Sequence, residues 1–445
     1  MSIGKDTLRI VTTNDFSGSY FPRPASFGRL PGAQGLIETV GRLRADAPAA
    51  LWIDVGDFAD GPLAALDGGA LGFVAASQLG FDAAVTGNHE FDWGEEALKR
   101  YAGELRCPLL CANYDVGLPG STVLAAGDWR VAVIGLTHAR IRTYNDTLLK
   151  AQPDPVETVR EHVQALREAK VDAVVLALHD GIDWTPGQDG ELHLHVERIA
   201  GFCAAVAAEV DMVLGGHSLA RYAGELGGVP FVQPWAWGAE VGVVELTREG
   251  ASRVYSEAVV EAGPWKGPGA GVYNALGEQI VGRLREPLIN APARSLSLAE
   301  AMARGVSALT STDIALLFQE LNGFQPPLDG AFGYLAAGPV SEADILCATA
   351  WNNGARVSTG EVTQAEAERL LERAEQRGGA GADLTSSNVV GPPALFRRAA
   401  SGSLRTVAVN TYAVPTINGW IGRDIAWEEA SITTRDGLRR AIADM

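Results

Sequence analysis

From Leu8 to about Leu246 short β-branched apolar runs alternate with stretches whose apolar residues recur every three or four positions. The runs are Arg9–Thr12, Ala50–Ile53, Ala83–Thr86, Pro108–Cys111, Arg130–Ile134, Ala173–Leu178 and Val210–Leu214, each predicted as a strand. Between them Gly35–Ala45, Glu95–Glu104 and Pro155–Ala169 read as helices. This alternation predicts a layered α/β domain. Polar residues gather where the runs end: Asn14-Asp15, Asp54 and Asp57, Asn88-His89, His179-Asp180 and His217. Ligand sites in α/β sheets lie at strand ends, so five loops are expected to converge on one crevice.

Beyond the closing run Val241–Leu246 lies a Gly- and Pro-rich stretch, Ala262–Gly271, of the composition linkers have. The expected organisation is a first domain over residues 1–250, a linker and connecting helix over 251–287 with the helix at Val272–Pro287, and a second α/β domain over 288–445. A length of 445 residues agrees with two domains. With 47% hydrophobic and 20% charged residues there is apolar surface enough for two cores, which excludes disorder as a class. No apolar run approaches the ~20 residues that cross a bilayer. The start leads directly into a strand-like run without the regions of a secretory leader, and the four cysteines contain no C-x-x-C pair, so reduced thiols and a cytoplasmic location are expected.

Charge narrows the partners. Thirty-six Lys and Arg stand against 54 Asp and Glu, a net charge of −18, and that field repels nucleic-acid polymers and anionic membranes. A small phosphate ester would need a local positive charge, from metal ions or a few arginines.

Gly87-Asn-His-Glu-Phe-Asp92 puts an amide oxygen, an imidazole and a carboxylate into one strand-to-helix turn. Alone, such a string is equally well a capped turn with a satisfied histidine. Here it stands among Thr13-Asn-Asp15, Asp54-Val-Gly-Asp57, Leu178-His-Asp-Gly181 and Gly215-Gly-His217-Ser, each after a predicted strand and each offering an oxygen or imidazole donor. That set suits a divalent-metal phosphoesterase.

Order and spacing resemble the bacterial 5'-nucleotidase family of the metallophosphoesterase superfamily over residues 8–247, with Gly80–Gly94, Leu110–Asn113, Val133–Leu136 and Val229–Gly238 also similar to family segments. The resemblance implies an α/β fold: a four-layer metallophosphoesterase-like sandwich followed by a smaller 5'-nucleotidase C-terminal-like domain. It also implies a second metal site made by Asp57 as bridging carboxylate, Asn88, His179 and His217. Two histidines with two oxygen ligands suit Mn, Fe, Zn or Co. The first site departs from the family. Asp-x-His after strand one is here Asp15-Phe-Ser17, and Gly-His-x-His is Gly216-His-Ser-Leu219, which leaves Asp15 and a share of Asp57. One tightly held divalent transition metal is therefore expected, the alternative being a scaffold that binds none usefully. His89 and Asp92 match the catalytic dyad, the histidine stabilising the transferring phosphoryl group and the aspartate orienting it.

Of the other histidines, His193 and His195 read as an exposed helix face, His162 as surface, and His138 as packing or, less simply, a substrate contact. In the second domain Thr312–Leu317, Ala337–Ile345, Arg356–Thr363 with the helix Gln364–Arg373, and Thr406–Tyr412 as final strand resemble the family more faintly. The family's Asn-Gly-Gly-Ile-Arg is absent, and with it a substrate arginine; Arg294, Arg356, Arg397 and Arg398 are candidates to replace it. Trp351, beside Asn353, and Trp420 stand where the family stacks two aromatic rings on its substrate, against the plain alternative that they fill core. The function this implies is hydrolysis of a phosphate monoester, from a nucleotide or phosphorylated small metabolite. Its rivals are a ligand-binding protein without turnover and a hydrolase of another ester.

Overall fold

The computed structural model describes residues 6–25, 28–139, 153–166, 169–186, 192–250, 252–289, 297–317, 333–349, 356–377, 394–397 and 404–445. The chain divides into two units: residues 1–23, 30–184 and 194–270 form the first, and 24–29, 185–193 and 271–445 the second.

Two six-stranded sheets build the first unit. One runs 252–258, 240–247, 7–13, 49–54, 83–85, 109–110, and the other 222–226, 229–233, 212–215, 173–178, 129–136, 121–126. In the first sheet the run 7–13, 49–54, 83–85, 109–110 is parallel and 240–247 and 252–258 join antiparallel at one end, whereas in the second the four central strands are parallel and both outermost pairings are antiparallel. Period-two alternation decides which side chains meet. Ile10, Leu51, Ile53 and Val85 of the first sheet pack with Val131, Val133, Val175, Leu214 and Val232 of the second in one buried cluster. Each such side chain contributes roughly 1.5–3 kcal/mol on burial, before the entropy of ordering it.

The outward set of the second sheet, Ile134, Leu136, Leu176 and Val213, packs with Val159 of the helix Pro155–Leu166 and with Ile199, Cys203 and Val206 of the helix Glu197–Val206. On the far side of the first sheet the helix Gly32–Ala45 buries Leu36, Val40 and Leu43, and the buried Arg9 Nη1 donates to the Leu43 carbonyl at 2.6 Å. The four layers are thus helix, sheet, sheet, helix, as the resemblance implies.

The second unit holds a five-stranded sheet ordered 394–397, 314–317, 404–410, 356–363, 427–433. Its helices Ser297–Thr310 and Thr434–Ala443 cross at Gly305 and Gly437, where a Cβ on Gly305 would lie 1.8 Å from the Gly437 carbonyl oxygen. Only glycine permits that approach.

Several local expectations change. The helix expected over 272–287 is Ala270–Gly277, and Ile280–Leu284 is a strand paired with Gly338–Ser341. Ser252–Ala258 is no linker: it pairs with Glu240–Thr247 as an edge strand. Leu192–His195 is a strand, although both histidines are exposed as expected. Thr406–Asn410 lies in the strand Leu404–Asn410, and Trp427–Thr433 follows it as the last strand. No described helix is long and apolar enough to cross a membrane.

Candidate metal centre and catalytic dyad

The loop after the strand Ala49–Asp54 is shaped by carboxylates that hold backbone. Asp54 ends the strand, accepting from Thr13 Oγ1 at 2.6 Å and from the Gly56 amide at 2.9 Å, and so shapes the turn that delivers Asp57. Glu90 is buried and accepts four amides: Gly87 at 2.6 Å, Asp57 at 2.9 Å, Phe58 at 3.0 Å and Ala59 at 3.1 Å. It ties the Asp57 loop to the Asn88-His89 turn. The two backbones are so close that a Cβ on Gly87 would lie 2.1 Å from Asp57 Oδ1.

Asp57 itself has a left-handed backbone, φ 55°. Its Oδ1 accepts from the His89 amide at 2.8 Å and its Oδ2 lies 3.0 Å from His179 Nε2. His179, fully buried, donates Nδ1–H to the Val55 carbonyl at 2.6 Å. That bond assigns the tautomer and turns Nε2 toward Asp57 and toward Asn88 Oδ1, 3.2 Å away. His217 completes the group: ligand atoms of Asp57, His179 and His217 all lie within 4.8 Å of one another. The four residues proposed from sequence as one metal site therefore include a three-membered donor cluster with Asn88 beside it.

The electrostatics fit a cation there. Burial disfavours a charged His179, yet Asp57 overrides it and pushes the imidazole up to about 10; burial likewise raises Asp57, and His179 with His89 pulls it down to about 2. The pocket holds a positive charge against its own desolvation. Burial first, then His138 and His179, keep His217 well below its usual range, so it is the neutral imidazole that ligation requires. Two imidazoles, a carboxylate and an amide oxygen form the mixed donor set of a divalent transition metal.

On the other side of Asp57 the chemistry thins. Asp15 Oδ2 accepts from Asn14 Nδ2 at 2.7 Å and from the His217 amide at 2.8 Å, whereas the buried Asp15 Oδ1 and Ser17 Oγ have no hydrogen-bond partner among the described residues. Leu219 is buried.

His89 Nδ1 lies 2.9 Å from Asp92 Oδ2, both side chains buried, which leaves Nε2 as the nitrogen turned away from Asp92. Burial opposes a charge on His89, but Asp92 and then Asp57 raise it well above the ordinary histidine value. The two residues expected from sequence to act together thus lie within hydrogen-bond distance, and the charged form of His89 is favoured beside the Asp57–His179–His217 donor cluster.

His138, at the end of the strand Trp129–Leu136, is buried with its ring stacked on His217. His162 is half-buried rather than on the surface, 3.1 Å from Ser121 Oγ. Trp420 lies in the helix Val414–Ile421 and packs, partly buried, against the second unit's cluster around Ile417 and Val407. Arg356 pairs with Glu429 at 3.2 Å. Arg294, Arg398, Trp351 and Asn353 lie outside the described residues.

Sequence reasoning passed over Glu90, an acid in the buried turn His89–Phe91, and Arg198. Arg198 grips the loop after His179 through Asp180, at 2.7 and 2.9 Å, and Asp183, at 2.7 and 3.1 Å.

Two sheets between helices, with donor-bearing loops at their strand ends, define a calcineurin-like metallophosphoesterase domain, and residues 8–221 match the family described as Calcineurin-like phosphoesterase. The "Probable 5'-nucleotidase" of Treponema pallidum is 30% identical over 243 residues, 49% of this chain and 39% of that one. The 5'-nucleotidase of Vibrio cholerae is 28% identical over 233 residues, 47% of this chain and 40% of that one. The chain thus spans only 39% and 40% of those two relatives. The 5'-nucleotidase precursor of Thermus thermophilus shares the fold with a TM-score of 0.71 at 19% identity, covering 98% of this chain and 96% of that one. The sulfate thiohydrolase SoxB of Thermus thermophilus shares it with a TM-score of 0.68 at 14% identity, covering 98% and 94%. The match to the calcineurin-like phosphoesterases is confined to residues 8–221, and over that part the chain is similar to 5'-nucleotidases.

Proposed function

We propose that the protein is a metal-dependent phosphate monoester hydrolase of 5'-nucleotidase type that holds one divalent transition metal tightly through Asp57, Asn88, His179 and His217. One observation carries this reading: the donor cluster of Asp57, His179 and His217 stands beside the buried His89–Asp92 dyad, whose ring nitrogen and carboxylate are 2.9 Å apart. A fold shared with a thiohydrolase does not choose the reaction, so the choice rests on these side chains.

A divalent cation at the cluster supplies positive charge to phosphoryl oxygens and acidifies a water molecule. The chain's own residues do the rest. Asp92 fixes the His89 ring by accepting from Nδ1, so that Nε2–H is available to donate to a phosphoryl oxygen as charge develops. Asp92 first and then Asp57 favour the charged form of that imidazole against its burial. Val55 keeps His179 in the tautomer that presents Nε2. In the second unit, Trp351 and Trp420 are the assigned candidates for stacking on a flat leaving group, with Asn353 and Arg294 as polar contacts.

Elemental analysis of the purified protein, with hydrolysis assays on nucleotides and sugar phosphates in Mn, Co and Zn, tests the reading. The expected result is about one tight equivalent of metal and turnover of at least one ester class. Two tight equivalents would overturn the single-metal assignment, and no turnover with any metal would overturn the hydrolase.

A further inference from the structure

The two histidines of the cluster are held in different ways. His179 has the carbonyl of Val55 on its far nitrogen at 2.6 Å, the kind of partner that fixes ring rotation and tautomer in metal sites. His217 has no such anchor: its backbone amide bonds Asp15, and among the described residues no hydrogen bond to its ring is present. It sits on a left-handed residue, φ 68°, in a half-buried turn. Its ring does have a neighbour on one face, His138, at a centroid distance of 3.8 Å and an interplanar angle of 20°, while His179 approaches it at 5.2 Å and 65°. With one face covered by a near-parallel ring and His179 set at an angle of 65° to it, rotation about Cβ–Cγ is hindered.

His138 is in turn fixed from behind. It follows Thr137, whose amide donates to Asn113 Oδ1 at 2.9 Å and whose carbonyl accepts from Asn113 Nδ2 at 2.8 Å. Asn113 and Thr137 are both buried, so this two-way clamp sets the backbone from which the His138 ring projects.

We infer that His138 is a positioning residue for the metal centre, its ring taking for His217 the part that the Val55 carbonyl takes for His179. The inference rests on the reading of His217 as a metal ligand. It assigns no ligand role to His138, which lies outside the cluster of mutually close donor atoms. What His138 supplies is a flat, rigid face, so a phenyl ring in its place does the same work and a methyl group does not.

The test is Co²⁺ titration of the metal-free full chain, following the visible absorption of bound cobalt, with affinity measured against a competing chelator. His138→Ala is expected to weaken Co²⁺ binding by roughly 10–100-fold, the usual cost of losing an outer partner, and to change the cobalt spectrum as the His217 nitrogen loses its aim. His138→Phe is expected to stay within about threefold of wild type with the wild-type spectrum, on the strength of the retained ring contact. Circular dichroism and thermal melts establish that each variant is folded, and if His138→Ala does not fold then His138→Phe decides alone. Wild-type affinity and spectrum in His138→Ala overturn the inference, as does a folded His138→Phe with weak binding, which would give the role to a nitrogen. Failure of the wild type itself to bind Co²⁺ overturns the metal centre, and the inference falls with it.

Discussion

The two sides of the Asp57 carboxylate make an instructive contrast. On one side Asp57 is held by the His89 amide, His179 by the Val55 carbonyl and the loop by Glu90, and His217 has the His138 ring stacked on it. On the other, Asp15 Oδ1 and Ser17 Oγ are buried without a hydrogen-bond partner among the described residues, and Leu219 brings only a hydrocarbon. Ligand residues alone do not make a metal site; the atoms behind them do, and only one side has both.

The largest effect should come from the supported side. His179→Ala is expected to abolish tight metal binding, read by elemental analysis after dialysis, because it removes a ligand and leaves the buried Asp57 without its partner. Retained metal would place the true ligands elsewhere. Next, His89→Ala is expected to lower kcat by roughly 10²-fold with metal content and melting temperature unchanged, the size of a lost transition-state donor. An active wild type with an equally active variant would remove His89 from the chemistry.

The contrast is sharpened by rebuilding the bare side. Ser17→His with Leu219→His is expected to raise metal content from about one toward two equivalents and to increase turnover of simple phosphate esters. An imidazole overfills the Ser17 position and puts a polar ring where the buried Leu219 packs, at a cost of about 1–3 kcal/mol, so the melting temperature should fall. A folded double variant that gains neither metal nor rate would show the bare side to be remodelled beyond its two missing ligands.

The smallest effect is expected far from either side. In the second unit Arg423 pairs with Glu366 at 2.7 Å, and Arg423 first, then the Thr363 amide, hold that carboxyl down to about 2 against its usual 4.5. Its stabilisation is present above the unfolded value and lost as pH falls from 4.5 toward 2. Glu366→Gln should therefore flatten the acid limb of the stability curve slightly and leave metal content untouched. A change in metal binding would show the units to be coupled.

Much of this was readable in advance, for physical reasons. β-branched runs such as Ala173–Leu178 are dictated by burial on both faces, and polar residues directly after them have few places to go but the crevice, so Asp57, Asn88, His89, His179 and His217 announced themselves. What escaped detection depends on partners distant in the chain. Gly277 ends its helix and Ile280–Leu284 becomes a strand only because Gly338–Ser341 comes to pair with it. The role of Glu90 lies in amides 31 to 33 residues away, and the stacking of His138 on His217 spans a sheet. Local pattern carries no trace of such meetings.

The crevice has one further property. Asp15, Ser17, Asp57, His217, Leu219 and Trp237 all have left-handed backbones, with φ between 47° and 68°. Each is a small energetic burden, least for Asp and greatest for bulky side chains such as Leu and Trp. The sheets behind them enforce these turns whatever the side chain, so the turns outlast the chemistry they carry. A single substitution can erase an imidazole here, whereas moving the backbone would require the whole strand end to refold. Such a scaffold can pass from one reaction to another with its outline intact, and the identity of a few side chains, rather than the outline, tells what a given descendant does.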